Sequence, residues 1–148
     1  MILFKKTGPL AGWLAGQRNK GQRIGFVPTM GALHQGHLSL MATSKAQNEL
    51  TVASIFVNPT QFNDPKDFEK YPVTIEKDIE WLEAAGVDAL FLPSVPEMYP
   101  DGTGQLRHYE LGYLETILEG RYRPGHFQGV CNVMERLLTR VAPDNLYM

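Results

Sequence analysis

Val27-Pro28-Thr29-Met30-Gly31-Ala32-Leu33-His34-Gln35-Gly36-His37-Leu38 reads as the end of a buried strand, a turn and the first turn of a helix. Upstream, Ile24, Phe26 and Val27 supply an apolar strand, and Pro28, with no N–H to donate, is expected to stop its ladder. Gly31 and Gly36 let the backbone approach a ligand closely. Downstream, Leu38, Met41, Ala42 and Ala46 fall at helical spacing, which predicts a helix to about Glu49. A helix that starts at the C-terminal edge of a sheet presents unpaired N–H groups and a partial positive charge, a setting that suits phosphate. His34 and His37 sit three residues apart at that terminus, and each can donate a hydrogen bond to a phosphate oxygen. Two plainer readings stand beside this one. The pair can be a chance feature of a polar loop, or half of a zinc site. The zinc reading needs a further ligand, and His108, His126 and Cys131 are all remote in sequence. The strand before and the helix after favour phosphate.

Bulk properties mainly exclude. The 148 residues make one domain's worth of chain, with a formal charge of −2. Basic residues are scattered, so nucleic acid is not an expected partner. No apolar run approaches the length of a membrane span. Met1-Ile2-Leu3-Phe4-Lys5-Lys6 lacks the regions of a secretory signal. A single cysteine, Cys131, forms no internal disulfide, which fits a cytoplasmic location.

Along the chain, Ile2–Phe4 reads as a short edge strand, and Thr7 as the cap of a helix whose apolar face is Leu10, Trp13 and Leu14. After the histidine segment, Leu50–Val57 is a β-branched, nearly continuous apolar run that suits a strand covered on both faces. Strand, helix and strand in that order imply a parallel, right-handed crossover. Asn58-Pro59-Thr60-Gln61-Phe62-Asn63-Asp64-Pro65 then leaves the same sheet edge as the histidines, where ligands bind in such folds. Asn58 serves equally as a ligand contact or as an Asx turn, whereas Gln61 is too long for a tight local turn and points to a ligand. Thr74 is expected to cap a helix to Ala85, with Ile75, Ile79, Leu82 and Ala85 inward. Asp88–Leu92 is a further strand, Pro93–Gly104 a loop, Leu106–Leu111 a short strand and Tyr113–Leu118 a short helix. Leu118–Val130 reads as a polar, glycine-rich loop with Arg121, Arg123 and His126, able to attract polyphosphate or simply solvated with Glu119 neutralising an arginine. Val130, Val133, Met134, Leu137, Leu138 and Val141 keep helical spacing, with Cys131 packed beside them, and Asn145–Met148 is a last parallel strand. The expected architecture is α/β, a doubly wound parallel sheet with its site at the C-terminal edge.

Three segments together carry a family resemblance: Val27–Gly31 running into His34-Gln35-Gly36-His37, then Ser54–Phe62, then Leu118-Glu119-Gly120 followed by Arg123-Pro124-Gly125-His126-Phe127. In this combination the chain resembles the pantothenate synthetases, over essentially its whole length. The resemblance implies a Rossmann-like domain of the nucleotidyltransferase type and a two-step reaction. Pantoate attacks ATP to give pantoyl adenylate and pyrophosphate, and β-alanine then displaces AMP. It further implies that Met30, Gly31, Ala32, Leu33, His34, Gln35, Gly36 and His37 hold ATP, with His37 as proton donor and His34 sharing the phosphate contacts. Gln61 would bind pantoate and lie near the β-alanine site, with Asn58, Phe56 and Phe62 shaping that pocket and Arg123 and Glu119 bordering it. Magnesium would arrive with the phosphates, with no metal site on the protein. A homodimer through this domain is also implied. Family members are roughly twice this length, continuing into a phosphate-gripping lysine segment and a lid. Residues 1–148 therefore read as an N-terminal ATP- and pantoate-binding domain that stops before the second phosphate motif. On its own it is expected to be weakly active or inactive. The alternatives are an isolated binding domain without turnover, or another nucleotidyltransferase of the same superfamily.

Overall fold

Ile24–Thr29 and Leu50–Ile55 are buried along almost their whole length, which is why both read as apolar runs instead of alternating patterns. Each lies in the middle of an all-parallel sheet with helices on both faces. The computed structural model describes residues 1–148, residue 65 by its backbone alone. Its elements are β1 (Ile2–Phe4), α1 (Thr7–Arg18), β2 (Ile24–Thr29), α2 (Gln35–Gln47), β3 (Leu50–Ile55), α3 (Pro65–Glu69), α4 (Ile75–Ala84), β4 (Ala89–Phe91), α5 (Val95–Met98), α6 (Leu118–Tyr122), α7 (His126–Val141) and β5 (Asn145–Leu146). Short 3₁₀ turns occupy Pro59–Gln61 and Gly112–Thr116. The strand order is β1-β4-β3-β2-β5. Side chains alternate across the sheet and divide the core in two. Phe26, Val52 and Phe91 meet Leu10 and Leu14 of α1 and Val133, Leu137 and Val141 of α7. On the opposite face Val27, Ala53 and Leu90 meet Met41 of α2 and Leu82 of α4. The expected doubly wound α/β architecture is the one observed.

Several local expectations are overturned. Pro28 does not stop β2, which continues through Thr29 in register with Ser54 and Ile55. Thr29 O accepts from Phe56 N–H, so Thr29 faces β3 and Pro28 faces the opposite side, where β5 pairs only with Gly25 and Phe26. The missing donor costs nothing on that open flank. In α2 the buried positions are Met41 and Ser44, while Ala42 and Ala46 are exposed. A hydroxyl faces the sheet there because Gly25 leaves room for it, and Ser44 Oγ is bonded to Thr51 Oγ1 at 2.7 Å. Thr7 is the first helical residue and not the cap, and Glu97 Oε1 accepts its N–H at 2.8 Å. Thr74 takes the expected N-cap position of α4, but its hydroxyl donates to Asp78 and bonds no backbone N–H of the helix. Pro93–Gly104 contains α5, opened by Ser94, and Leu118–Val130 is largely helical as α6 and the start of α7. Leu106–Leu111 forms no strand, because side chains of α7 take its backbone groups: Gln128 bonds both N–H and C=O of Tyr109, and Asn132 donates to Arg107 O. The helix expected over Tyr113–Leu118 is a 3₁₀ turn.

Glu97 joins the first and last helical layers, and its acidity follows from that position. The Thr7 N–H, with the Thr7 hydroxyl and Lys6 ammonium beside it, holds the carboxyl down to about 2. A carboxylate depressed from its ordinary 4.5 adds stability that is complete above pH 4.5 and lost as pH falls towards 2. In urea titrations, the wild-type midpoint should therefore fall more steeply than that of Glu97→Gln between those pH values. Parallel pH dependences would refute this assignment.

Candidate functional site

The site begins where β2 ends. Thr29 Oγ1 donates to Ser54 O at 2.7 Å and accepts the Gly31 N–H at 3.1 Å, which turns the chain out of the sheet. Gly31 then takes φ 82°, a left-handed conformation that favours glycine. The turn delivers His34 to the N-cap position of α2 in an extended conformation.

Two imidazoles do the capping there. His34 Nδ1 accepts the Gly36 N–H at 3.1 Å, and His37 Nδ1 accepts the His34 N–H at 3.3 Å. A backbone N–H is only a donor, so each Nδ1 is the acceptor and each neutral ring carries its proton on Nε2. The rings lie 4.1 Å apart, tilted at 41°. Burial, and to a lesser degree the neighbouring His34, lower the affinity of His37 for a second proton, with Asp78 opposing them. His37 is therefore a neutral donor at neutral pH. Exposed Gln35 adds the first N–H group of the helix, since that of Gly36 is taken by His34.

Gln61, at the end of the 3₁₀ turn after β3, shares a cavity with His37. Its orientation follows from a chain of fixed groups. Asn58 is fully buried, and Thr60 N–H and Tyr99 OH both donate to its Oδ1, at 3.3 and 2.7 Å. Asn58 Nδ2 then donates to Gly129 O and to Gln61 Oε1, each at 3.1 Å. That leaves Gln61 Nε2 as the outward group, 2.9 Å from Met30 Sδ. Behind Gln61, its own carbonyl is bonded to His126 Nδ1 at 3.0 Å and reached by Arg123. α7 approaches so closely that a Cβ on Gly129 would lie 2.2 Å from Thr60 O.

His37, Met30, Phe56, Gln61 and Tyr71 line one cavity of about 250 Å³, whose far wall is Val130, Val133 and Met134 of α7. A second, of about 240 Å³, lies across Met30 and Phe56 towards Thr74 and Asp78. The remaining sequence candidates stand further back. Leu33 is buried in the core and Ala32 lies in the turn. Asn58 uses its polar atoms internally, so both of its readings meet in one residue: it forms the Asx turn, and through it orients Gln61. Phe62 packs edge-on against Phe68 and Tyr71, at 5.5 and 5.8 Å, and supports Tyr71 instead of lining the cavity. Arg123 and Glu119 form an exposed pair at 3.1 Å. Among the described residues no three His, Cys, Asp or Glu side chains gather as a metal cluster. Four residues escaped the sequence reading: Tyr71, Tyr99, His126 as the support of Gln61, and Asp78. Only Asp78 left a signal, an acidic residue on the inward face marked by Ile75, Ile79 and Leu82.

The reciprocal cap predicts an NMR signature. In their neutral forms His34 and His37 should each show a bare Nδ1 and a protonated Nε2 in their ¹⁵N shifts, and His37 should titrate below 6.5. Because that pKa is depressed, His37 favours the fold fully above pH 6.5 and opposes it as pH falls through the lowered value. Averaged ring nitrogens would contradict the capping geometry.

Comparison with known proteins gives the family. The family profile described as pantoate-beta-alanine ligase matches residues 2–148. Pantothenate synthetase of Cytophaga hutchinsonii is 50% identical over 147 residues, covering 99% of this chain and 51% of that protein. The Aquifex aeolicus enzyme is 45% identical, again over 99% of this chain and 51% of its own length. The crystal structure of the pantoate-beta-alanine ligase from Francisella tularensis, complexed with beta-gamma ATP and beta-alanine, superposes with a TM-score of 0.89 at 45% identity, over 99% of this chain and 55% of that one. Pantothenate synthetase from Thermus thermophilus gives 0.89 at 43% identity, over 100% of this chain and 51% of that one. The chain thus spans about half the length of the curated relatives it matches. With a family profile that matches residues 2–148 and relatives about half identical over nearly the whole of it, this chain belongs to the pantoate–β-alanine ligase family.

Proposed function

We propose that the protein joins pantoate to β-alanine at the expense of ATP, and that residues 1–148 form its N-terminal ATP- and pantoate-binding domain. The observation that carries this reading is the Nε2–H donor of His37, held beside His34 at the helix cap, on the same cavity as the Gln61 amide at one sheet edge. In the first step a pantoate carboxylate oxygen bonds to the α-phosphorus of ATP while the bond to the bridging oxygen breaks, and pyrophosphate leaves with that electron pair. Negative charge grows on the phosphates, where fixed neutral donors and a helix N-terminus are most effective. His37 is the residue for proton donation to the departing phosphate, and His34 shares the phosphate oxygens. In the second step the β-alanine amine attacks the acyl carbon, AMP leaves, and the amine loses a proton. Support for these substrates comes from the Francisella tularensis ligase, whose structure is complexed with beta-gamma ATP and beta-alanine.

The pocket chemistry agrees with pantoate. Its dimethyl carbon suits the apolar wall of Phe56, Val130 and Val133, and Gln61 Nε2 offers a donor to its oxygens. Met30 and Gly31 stand between the two loops, where the ATP contacts of Met30–His37 and the pantoate contacts of Gln61 meet. Asn58, Phe62, Arg123 and Glu119 act from behind by holding Gln61 and Tyr71 in place. Magnesium belongs to the substrate, bound through the triphosphate. Exposed Tyr113, Leu114, Leu118 and Tyr122 give a homodimer an apolar face. A free Cys131 fits the cytoplasm, and among the described residues no helix is long and apolar enough to cross a membrane.

Pyrophosphate release with Mg-ATP and pantoate tests the reading, in the 148-residue chain and in a full-length relative carrying the same substitutions. His37→Ala should lower the rate about 10²-fold or more in the relative. Its cost to helix capping is only about 1 kcal/mol, which leaves the fold in place. Gln61→Ala should raise the KM for pantoate more than it lowers kcat. The 148-residue chain should bind both substrates and turn over weakly. Release that is indifferent to His37, or that does not need pantoate, would overturn the proposal.

A further inference from the structure

We propose that Asp78 is a positioning residue for the histidine pair: its carboxylate, inside the protein, clamps the Ala32–Leu33 turn that delivers His34 and His37 to the head of α2. The side chain is 2% exposed. Each carboxylate oxygen takes one backbone N–H of the turn, Ala32 N–H on Oδ2 and Leu33 N–H on Oδ1, both at 2.9 Å. Thr74 adds its hydroxyl to Oδ2 at 3.0 Å. Buried carboxylates ordinarily sit beside a cation. Among the described residues no Lys or Arg lies within ion-pair reach of Asp78, so backbone and hydroxyl dipoles alone hold this charge.

The turn needs such a clamp. Gly31 and Ala32 are consecutive left-handed residues, at φ 82° and 50°. Glycine accepts that conformation, but alanine resists it because its Cβ crowds the backbone. Nothing intrinsic to Ala32 keeps the turn as it is, whereas a two-oxygen acceptor facing two parallel N–H groups does. Asp78 lies on α4, and from Leu33 the chain has one peptide to go before His34. The negative charge also acts on His37 directly, opposing the effect of burial on its protonation.

Only the catalytic consequence rests on reading the histidines as phosphate donors, so two measurements separate the clamp from that reading. The first is ¹⁵N NMR of the imidazoles with hydrogen exchange of the Ala32 and Leu33 amides, and the second is Mg-ATP binding by calorimetry. Asp78→Asn keeps the shape but places an NH₂ against one of the two N–H groups. It should release the protection of both amides and shrink the separation between Nδ1 and Nε2 shifts in both histidines. Mg-ATP affinity should fall about tenfold or more, as displaced donors lose their aim. Leu82→Ala, which weakens the same helix from the core, should leave the ring-nitrogen shifts at wild-type values in the folded protein. If Asp78→Asn does not fold, Thr74→Val, which removes only the hydroxyl donor, should move the same amides and rings in the same direction. Unchanged imidazoles in the aspartate variant (or in Thr74→Val where that variant stands in for it), or equal changes in Leu82→Ala, would overturn the clamp. Wild-type protein that shows the locked imidazoles yet binds no Mg-ATP would instead count against the phosphate reading.

Discussion

The pairing of β2 with β3 is the constraint on which the site depends. Six consecutive residue pairs, from Ile24 opposite Leu50 to Thr29 opposite Ile55, bring both strands to an end at the same level. Two loops of different chemistry then leave side by side. One carries donors that suit phosphate, the other an amide that suits a carboxylate or hydroxyl. Thr29 secures the junction, giving its hydroxyl to Ser54 O while its carbonyl accepts Phe56 N–H at 3.0 Å. A shift of register by one residue would send each strand's core side chains to the wrong face and separate the loops.

Beyond that register, the site is a matter of orientation more than of attraction. Each hydrogen bond contributes about 1 kcal/mol net, too little to account for the fold. Each also removes an ambiguity. Backbone Thr60 N–H decides which way the Asn58 amide faces, Asn58 decides Gln61, and the two helix-capping bonds decide the tautomers of His34 and His37. The result is a set of donors with known protons, of which His37 and Gln61 line one cavity before any substrate arrives. Such pre-aimed groups need no reorganisation as charge develops, which is the condition for electrostatic catalysis. Gly129 serves the same end from the other side, since a side chain there would drive α7 away from the Gln61 turn.

The layout of the fold was legible because both central strands are buried on two faces and the helices of β–α–β units lie between them. The long apolar stripe of α7 was legible for the same reason: Val133, Leu137 and Val141 are buried where the spacing placed them. Where polar side chains replace apolar packing, the reading failed. Ser44 is buried because Gly25 makes room and Thr51 bonds its hydroxyl, so hydrophobic spacing found Met41 on the buried face of α2 and missed Ser44 beside it. Leu106–Leu111 looks like a strand, but its partners are the side chains of Gln128 and Asn132, and no pattern within the segment reveals them. Pro28 illustrates the reverse error: its cost depends on whether a neighbouring strand faces it, which is a property of sheet order. Of the site, the histidines and Gln61 were visible as residue types in a strand–turn–helix context. Their supports were not, because Tyr99, His126 and Asp78 make their bonds to the site across 41, 65 and 46 residues of chain.

The most direct test of this account is a crystal structure of the chain with Mg-ATP and pantoate bound. The account predicts phosphate oxygens within hydrogen-bond distance of Nε2 of both His34 and His37, with the histidine cap unchanged, and a pantoate oxygen on Gln61 Nε2. Phosphates bound elsewhere, or imidazoles that leave the helix cap to reach them, would contradict it.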